Sequence, residues 1–470
     1  MSSTPPLAGG IQGPDALRPL LTTVLDALHE GATRRGGPLP AGGPDAVAAR
    51  LREQAGTVLP EQGTGADDAL RTLVTALTEG AADPADPLCA AHLHCPPLAV
   101  ATAADLAASA LNPSMDSWDQ APAASALEDL VTATLAREVY GPVHGEAHSE
   151  EAPADALVTT GGTEANQLAV LLARETTRHP EPVRLLVGAN AHHSLARAAW
   201  LLGLPDPLTV PAPTGTLDPA ALDEALADLP GPKLVTATAG TTDAGLIDPL
   251  PEIADICERH GARLHIDAAY GAGLLLSARH RARLDGLARA HTVTLDLHKL
   301  GWQPVAAGFL AVRDPADVAA LTYQADYLNA DDDTEAGLPD LLGRSLRTTR
   351  RPDILKIAVT LKALGRTGLG ALTDQVIDLA HHLAHLVDTH PGFELYDTPT
   401  LSTVLFRPRG ADDTTIADIR RGLLTEGRAV LGRARTDDGT LWLKATLLNP
   451  HTEPGDLTAL LKLVEGHTTR

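Results

Sequence analysis

The sequence predicts an α/β protein. A helical N-terminal segment (1–125) precedes a large domain built on a mostly parallel sheet (126–366), and a small α+β domain closes the chain (367–470). Three observations predict this. From about residue 155, short apolar runs (DALVTT, VRLLVGA, KLVTATA, ARLHIDAA, HTVTLDL, GFLAVRD) alternate with helical segments, the pattern of parallel strands joined by crossover helices. Before them the apolar residues keep a helical period. After 366 comes one long amphipathic stretch, LGALTDQVIDLAHHLAHLVDTH, then two strand-like runs and a last helix.

The N-terminal elements are read from periodicity. Leu17, Leu20, Leu21, Val24 and Leu28 share one face of a first helix, and Leu127, Leu130, Val131 and Leu135 share a face of another. GGPLPAGGPD (36–45) and ADPADPL (82–88) read as loops. STVLFRP and TLWLKATLL read as strands of the small domain. Apolar residues are 44% of the chain but aromatics only 3%, so the core must be Ala, Leu and Val.

Charge narrows the function. The net charge of −23 argues against a nucleic-acid partner. No apolar run approaches the roughly eighteen residues of a membrane span. The start, MSSTPPLAGGIQGPDA, has no basic, apolar secretory pattern, and Cys89, Cys95 and Cys257 are too scattered for a disulfide framework or a zinc site. A reduced, cytoplasmic protein is expected. His381, His382 and His385 fall on one predicted helix, two of them at i,i+4. No further ligand accompanies them, so a solvated helix face is the better reading and no metal is expected.

Chemistry is expected where strands end, because open α/β sheets bind ligands there. In VTTGGTEANQLAV (158–170) a strand ends, two glycines turn, and Thr163 opens a helix. Backbone N–H groups at such a start bind anions, although a plain βα turn would look the same. In LHIDAAYGAG (264–273) Asp267 closes an apolar strand; a carboxylate there is costly unless it meets a cation or caps its turn. His192, in AHHSLARAAW, can stack on a flat ring, carry a proton or face water. ATAGTTDAG offers Thr241 and Thr242 after another strand. LDLHKLGWQP holds one of only six lysines, Lys299, beside Asp296 and His298. An unpaired buried ammonium is unfavourable, whereas a lysine joined to an aldehyde becomes a reaction centre.

Taken together, GGTEAN, HIDAAYG and D-x-HK in this order resemble the group II pyridoxal-phosphate-dependent amino acid decarboxylases. The similarity runs from about residue 85 to 370. It implies pyridoxal-phosphate fold type I, the aspartate-aminotransferase-like fold, with a seven-stranded large-domain sheet. It also implies pyridoxal 5'-phosphate as cofactor, an amino acid substrate, and a homodimer with shared active sites. By the resemblance Lys299 forms the Schiff base, Asp267 pairs with the pyridine nitrogen, and His192 stacks on the ring. Gly162, Thr163 and His298 hold the phosphate with Asp296 beside them, Ala269 packs on the ring, and Thr242 touches the cofactor region.

The segments HLHCPPL and NPSMDSWDQAPAAS are most similar to the diaminobutyrate, lysine and ornithine branch, and imply His94, Pro97 and Asp116 on the substrate side. A carboxylate at Asp116 would favour a cationic side chain, or it makes only structural bonds. The stretch 326–356 points to the same branch. One feature departs from the aromatic branch: Leu341 stands where that branch carries a loop tyrosine thought to return the proton, and Tyr323 and Tyr327 are only nearby. A decarboxylating deaminase that yields an aldehyde, and a decarboxylase for aromatic or acidic amino acids, therefore stay open as alternatives. Intact Lys299, Asp267 and His192 count against a non-catalytic homologue.

Overall fold

The computed structural model describes residues 4–141, 154–325, 327–436 and 438–468. Helices α1 (Gly13–Arg35), α2 (Gly43–Ala55) and α3 (Ala66–Glu79) lead to a two-residue strand, β1 (Cys89–Ala90), then α4 (Ala99–Leu111) and α5 (Pro122–Tyr140). The large sheet contains β2 (Asp155–Thr159), β3 (Arg184–Gly188), β4 (Leu208–Val210), β5 (Lys233–Thr238), β6 (Arg263–Ala268), β7 (Thr292–Asp296) and β8 (Gly308–Val312). Between them run α6 (Gly162–Glu175), α7 (Ser194–Leu201), α8 (Pro219–Ala227) and α9 (Leu250–Arg259). The short α10 (Asp331–Glu335) and the long α11 (Ile354–Thr389) follow. The last part comprises β9 (Phe393–Leu395), β10 (Thr403–Pro408), α12 (Asp413–Thr425), β11 (Val430–Arg435), β12 (Leu441–Thr446) and α13 (Pro454–Thr468).

The large sheet has seven strands in the order β2-β8-β7-β6-β5-β3-β4. Only β8 runs antiparallel, against both β2 and β7. Every residue of β7 and β8 is buried, as expected when helices cover both faces. The six apolar runs seen in the sequence are β2, β3, β5, β6, β7 and β8. The seventh, β4, is three residues, LTV, too short to show a period.

The small sheet runs β1-β11-β12-β10-β9. β10 and β12 are the two strand-like runs expected from the sequence, and the other three show no such run. β9 and β1 are very short, and β11 (VLGRAR) carries a glycine and two arginines. β1 comes from the N-terminal segment that was read as helical, and it pairs parallel with β11. The helix α11 breaks at Gly365, whose φ of 61° and ψ of −175° are not helical. The apolar stripe of α1 is only half covered in this chain: Leu17, Leu20, Leu21 and Val24 are partly buried and Leu28 is exposed. Among the described residues no helix is long and apolar enough to cross a membrane.

One buried ion pair ties α5 to the segment before α11. Arg350 grips Glu128 with both terminal nitrogens, at 2.7 and 2.6 Å, with almost no exposure of either side chain. Arg350 O also accepts from Met115 N. Breaking such a pair leaves one charge buried without a partner. Arg350→Ala is therefore expected to destabilise the fold by about 3–5 kcal/mol, read as a lower urea midpoint. Adding Glu128→Leu should recover much of the loss; a single variant as stable as wild type would contradict the account.

Candidate active site

The carboxyl ends of the parallel strands open onto one cavity of about 480 Å³. All nine residues expected around a cofactor line it: Gly162, Thr163, His192, Thr242, Asp267, Ala269, Asp296, His298 and Lys299. Each arrives by a simple route. Gly162 and Thr163 begin α6 directly after β2. Asp267 is the penultimate residue of β6, Asp296 the last of β7, and Lys299 follows three residues later. The turn before α6 is fastened by Glu164, which accepts from Thr160 N at 2.6 Å and from Thr160 Oγ1 at 2.7 Å. A side chain at the turn itself would crowd its neighbours. A Cβ on Gly161 would lie 2.9 Å from His298 Cε1, and one on Gly162 3.0 Å from the Ala269 Cβ. The turn and the start of α6 therefore face the cavity with no side chain at Gly161 or Gly162, a helix start of the kind that binds anions, although Asp296 already takes the Gly162 N–H.

Asp267 is buried, and its oxygens accept from Ala269 N at 3.0 Å and Asn166 Nδ2 at 2.7 Å. Asp296 is buried more deeply still. Its Oδ2 accepts from Gly162 N at 3.2 Å and lies 3.3 Å from Lys299 Nζ. Its Oδ1 is 2.8 Å from His298 Nδ1, close enough for an ion pair but not aligned as a hydrogen bond, which leaves both atoms without a bonded partner. Lys299 is thus not a solvated surface lysine: it is mostly buried with Asp296 as counter-ion. His192 Nδ1 lies 2.8 Å from Ser194 Oγ. Burial holds the His192 imidazole below its usual range; Asp267 pulls it upward, and His193 and Lys299 add to the lowering. Behind Asp267, burial pushes His265 down to about 4.

The substrate-side expectations meet a different geometry. His94 and Pro97 are exposed on the loop before α4 and do not line the cavity. Asp116 is buried, does not line the cavity, and turns into its own loop. It accepts from Gln120 Nε2 at 2.8 Å and lies 3.5 Å from Thr349 Oγ1. Leu341 is a buried apolar residue, and Tyr323 and Tyr327 line a separate pocket with Leu321 and Leu342.

Several lining residues escaped the sequence reading: His92, Asn166, Tyr270, Lys444 and Thr446. Lys444 and Thr446 share one face of β12, a period-two signal in a run that was read as a strand. Lys444 Nζ donates to Thr242 O at 3.0 Å and stands 3.6 Å from Asp243. Burial lowers its pKa, and Asp243 opposes the shift. Tyr270 Oη bonds to Ser402 Oγ at 2.8 Å and Thr403 Oγ1 at 2.9 Å, which couples the end of β6 to β10. His92 takes a positive φ of 62°, which no sequence pattern announces.

Residues 50–409 match the family described as the pyridoxal-dependent decarboxylase conserved domain. The chain belongs to this family. The decarboxylase is 41% identical over 429 residues to an L-2,4-diaminobutyrate decarboxylase of Rhizobium meliloti, covering 88% of this chain and 84% of that one. It is 32% identical over 446 residues to an L-2,4-diaminobutyrate decarboxylase of Acinetobacter baumannii, covering 87% and 85%. Its fold matches the crystal structure of the glutamate decarboxylase domain of diaminobutyrate-pyruvate transaminase and L-2,4-diaminobutyrate decarboxylase from Vibrio parahaemolyticus. There the TM-score is 0.85 and the identity 31%, over 98% of this chain and 97% of that one. The fold is therefore the type I pyridoxal-phosphate fold, and pyridoxal phosphate is the cofactor the family implies.

The cavity fits that cofactor. The bare glycine turn suits its phosphate, the buried Asp267 carboxylate suits a protonated ring nitrogen, and Lys299 suits its aldehyde. If Asp267 carries that contact, Asp267→Asn should loosen the cofactor roughly ten- to hundredfold, the worth of a hydrogen bond to a charged group. Equilibrium dialysis measures this, and undiminished retention would count against it.

Proposed function

We propose that this decarboxylase removes the α-carboxylate of L-2,4-diaminobutyrate and releases 1,3-diaminopropane. The observation that carries the reading is the 41% identity over 88% of the chain to a decarboxylase of that specificity. Asp116 lends it no support, because that carboxylate is engaged within its own loop.

When bound, pyridoxal phosphate supplies an electron sink for the pair left by the departing carboxylate. The chain's own groups do the rest. The turn at Gly161 and Gly162, with Thr163 and His298, would hold the phosphate end. Asp267 would pair with the ring nitrogen, Ala269 and His192 would flank the ring, and Lys299 would hold the aldehyde end until the substrate amine replaces it. Lys444 adds a second lysine to the wall. Val305 lines the cavity yet is 71% exposed, and the stripe on α1 is half bare; both fit a homodimer in which a second copy covers the open side. The three cysteines are free, which suits a reducing cytoplasm.

The test is product analysis of the holoenzyme with 2,4-diaminobutyrate, ornithine, lysine, aspartate and glutamate in competition. Expected is 1,3-diaminopropane as the main product, equimolar with carbon dioxide, and lost in Lys299→Ala. Preferred turnover of an acidic amino acid would overturn the substrate reading, and an aldehyde product would favour the deaminase outcome.

A further inference from the structure

Asn166, at the start of the second turn of α6, is fully buried in the cavity floor. Its amide uses all four of its hydrogen-bonding positions. Nδ2 donates to Asp267 Oδ2 at 2.7 Å and to Ser194 Oγ at 2.9 Å. Oδ1 accepts from Thr294 Oγ1 at 2.7 Å and faces His265 Nε2 at 3.0 Å.

The direction of this network is not free. A carboxylate only accepts, so the amide nitrogen must face Asp267 and the amide oxygen must face Thr294 and His265. His265 therefore carries its proton on Nε2, and its Nδ1 accepts from Thr292 Oγ1 at 2.9 Å. Ser194 Oγ receives an N–H from Asn166, so its own hydrogen turns to its other neighbour, His192 Nδ1, at 2.8 Å. Ser194 N points at the same nitrogen from 3.3 Å. With two donors converging on Nδ1, the proton of neutral His192 sits on Nε2.

We propose that Asn166 is a positioning residue that relays the charge of Asp267 through Ser194 into one fixed tautomer of His192, leaving Nε2–H as the donor offered to the cavity. The proposal rests on the decarboxylase assignment and not on which amino acid is consumed. The groups facing His192 agree with a neutral ring. Asp267 from β6 favours the imidazolium. Lys299 from the loop after β7, His193 from its own loop, and burial all oppose it. His92, Asp296, His298 and Lys444 share the same cavity. Protonating Nδ1 would also strand the Ser194 hydroxyl hydrogen.

The experiment is nitrogen-15 NMR of histidine-labelled holoenzyme, with the His192 signals assigned by their loss in His192→Gln. The wild type is expected to show an unprotonated Nδ1 and a protonated Nε2. In Ser194→Ala the tautomers should mix and the His192 titration midpoint should rise, while cofactor affinity holds because Asn166 still meets Asp267. Ser194→Thr should restore the wild-type signals. Asn166→Leu should repeat the His192 change and also weaken cofactor binding about tenfold. A wild-type proton on Nδ1, or Ser194→Ala with unchanged His192 signals, would overturn the proposal. A merely structural role for Asn166 would lower the melting temperature without moving either His192 signal. If Asn166→Leu does not fold, the two Ser194 variants decide the matter. The readout needs no substrate, so it is independent of a failure of the diaminobutyrate reading.

Discussion

Holding a carboxylate at the end of the central strand β6 would cost several kcal/mol if its oxygens met no donors. Much of the cavity floor follows from meeting that demand. The turn after β6 brings Ala269 N to one oxygen, and α6 brings Asn166 to the other. Asn166 must then be oriented, which engages Thr294 on β7 and His265 on β6 itself. Three adjacent elements are thus locked in register by one negative charge. A positive ring nitrogen placed there would find its counter-charge already fixed, with little reorganisation left to do.

A second constraint comes from the small domain. Tyr270, three residues beyond Asp267, bonds to Ser402 and Thr403, and Lys444 reaches back to the carbonyl of Thr242. The two sheets therefore meet over the cavity by hydrogen bonds at defined positions, not by apolar contact alone. Asp248 does comparable work on the other flank. It accepts from Thr238 N, Leu217 N and Asn190 Nδ2 at 2.7–2.8 Å and pins three loops together. Burial raises its pKa and these bonds oppose the rise.

Much of this was legible in the sequence because it is local. Six of the seven large-sheet strands fall on short, largely apolar runs, and most of the cavity residues expected from the sequence sit at or just beyond strand ends, where such a run stops and a polar group begins. Asp267, Lys299 and the glycine turn each follow that rule, and it is their order together that singles them out. What stayed hidden depends on long-range pairing. Asn166 reads as an ordinary helix residue until β6 and β7 stand beside it. Lys444 looks like an interruption of β12 until the small domain closes. Asp116 invited a functional reading because its loop resembles a substrate segment, yet Gln120, four residues on, already satisfies it. β1 and β9 are too short for any period to declare them.

The pairing of β1 with β11 bears on how the chain is made. Cys89 and Val430 are neighbours, although the whole large sheet lies between them in the chain. During synthesis the large domain can assemble while Leu88 and Ala90 still wait for the surface that will cover them. The small sheet cannot close until β11 and β12 have been made. Loop closure over such a span is slow. A copy cut short before β11 would lack Lys444 and would leave β1 without its strand partner.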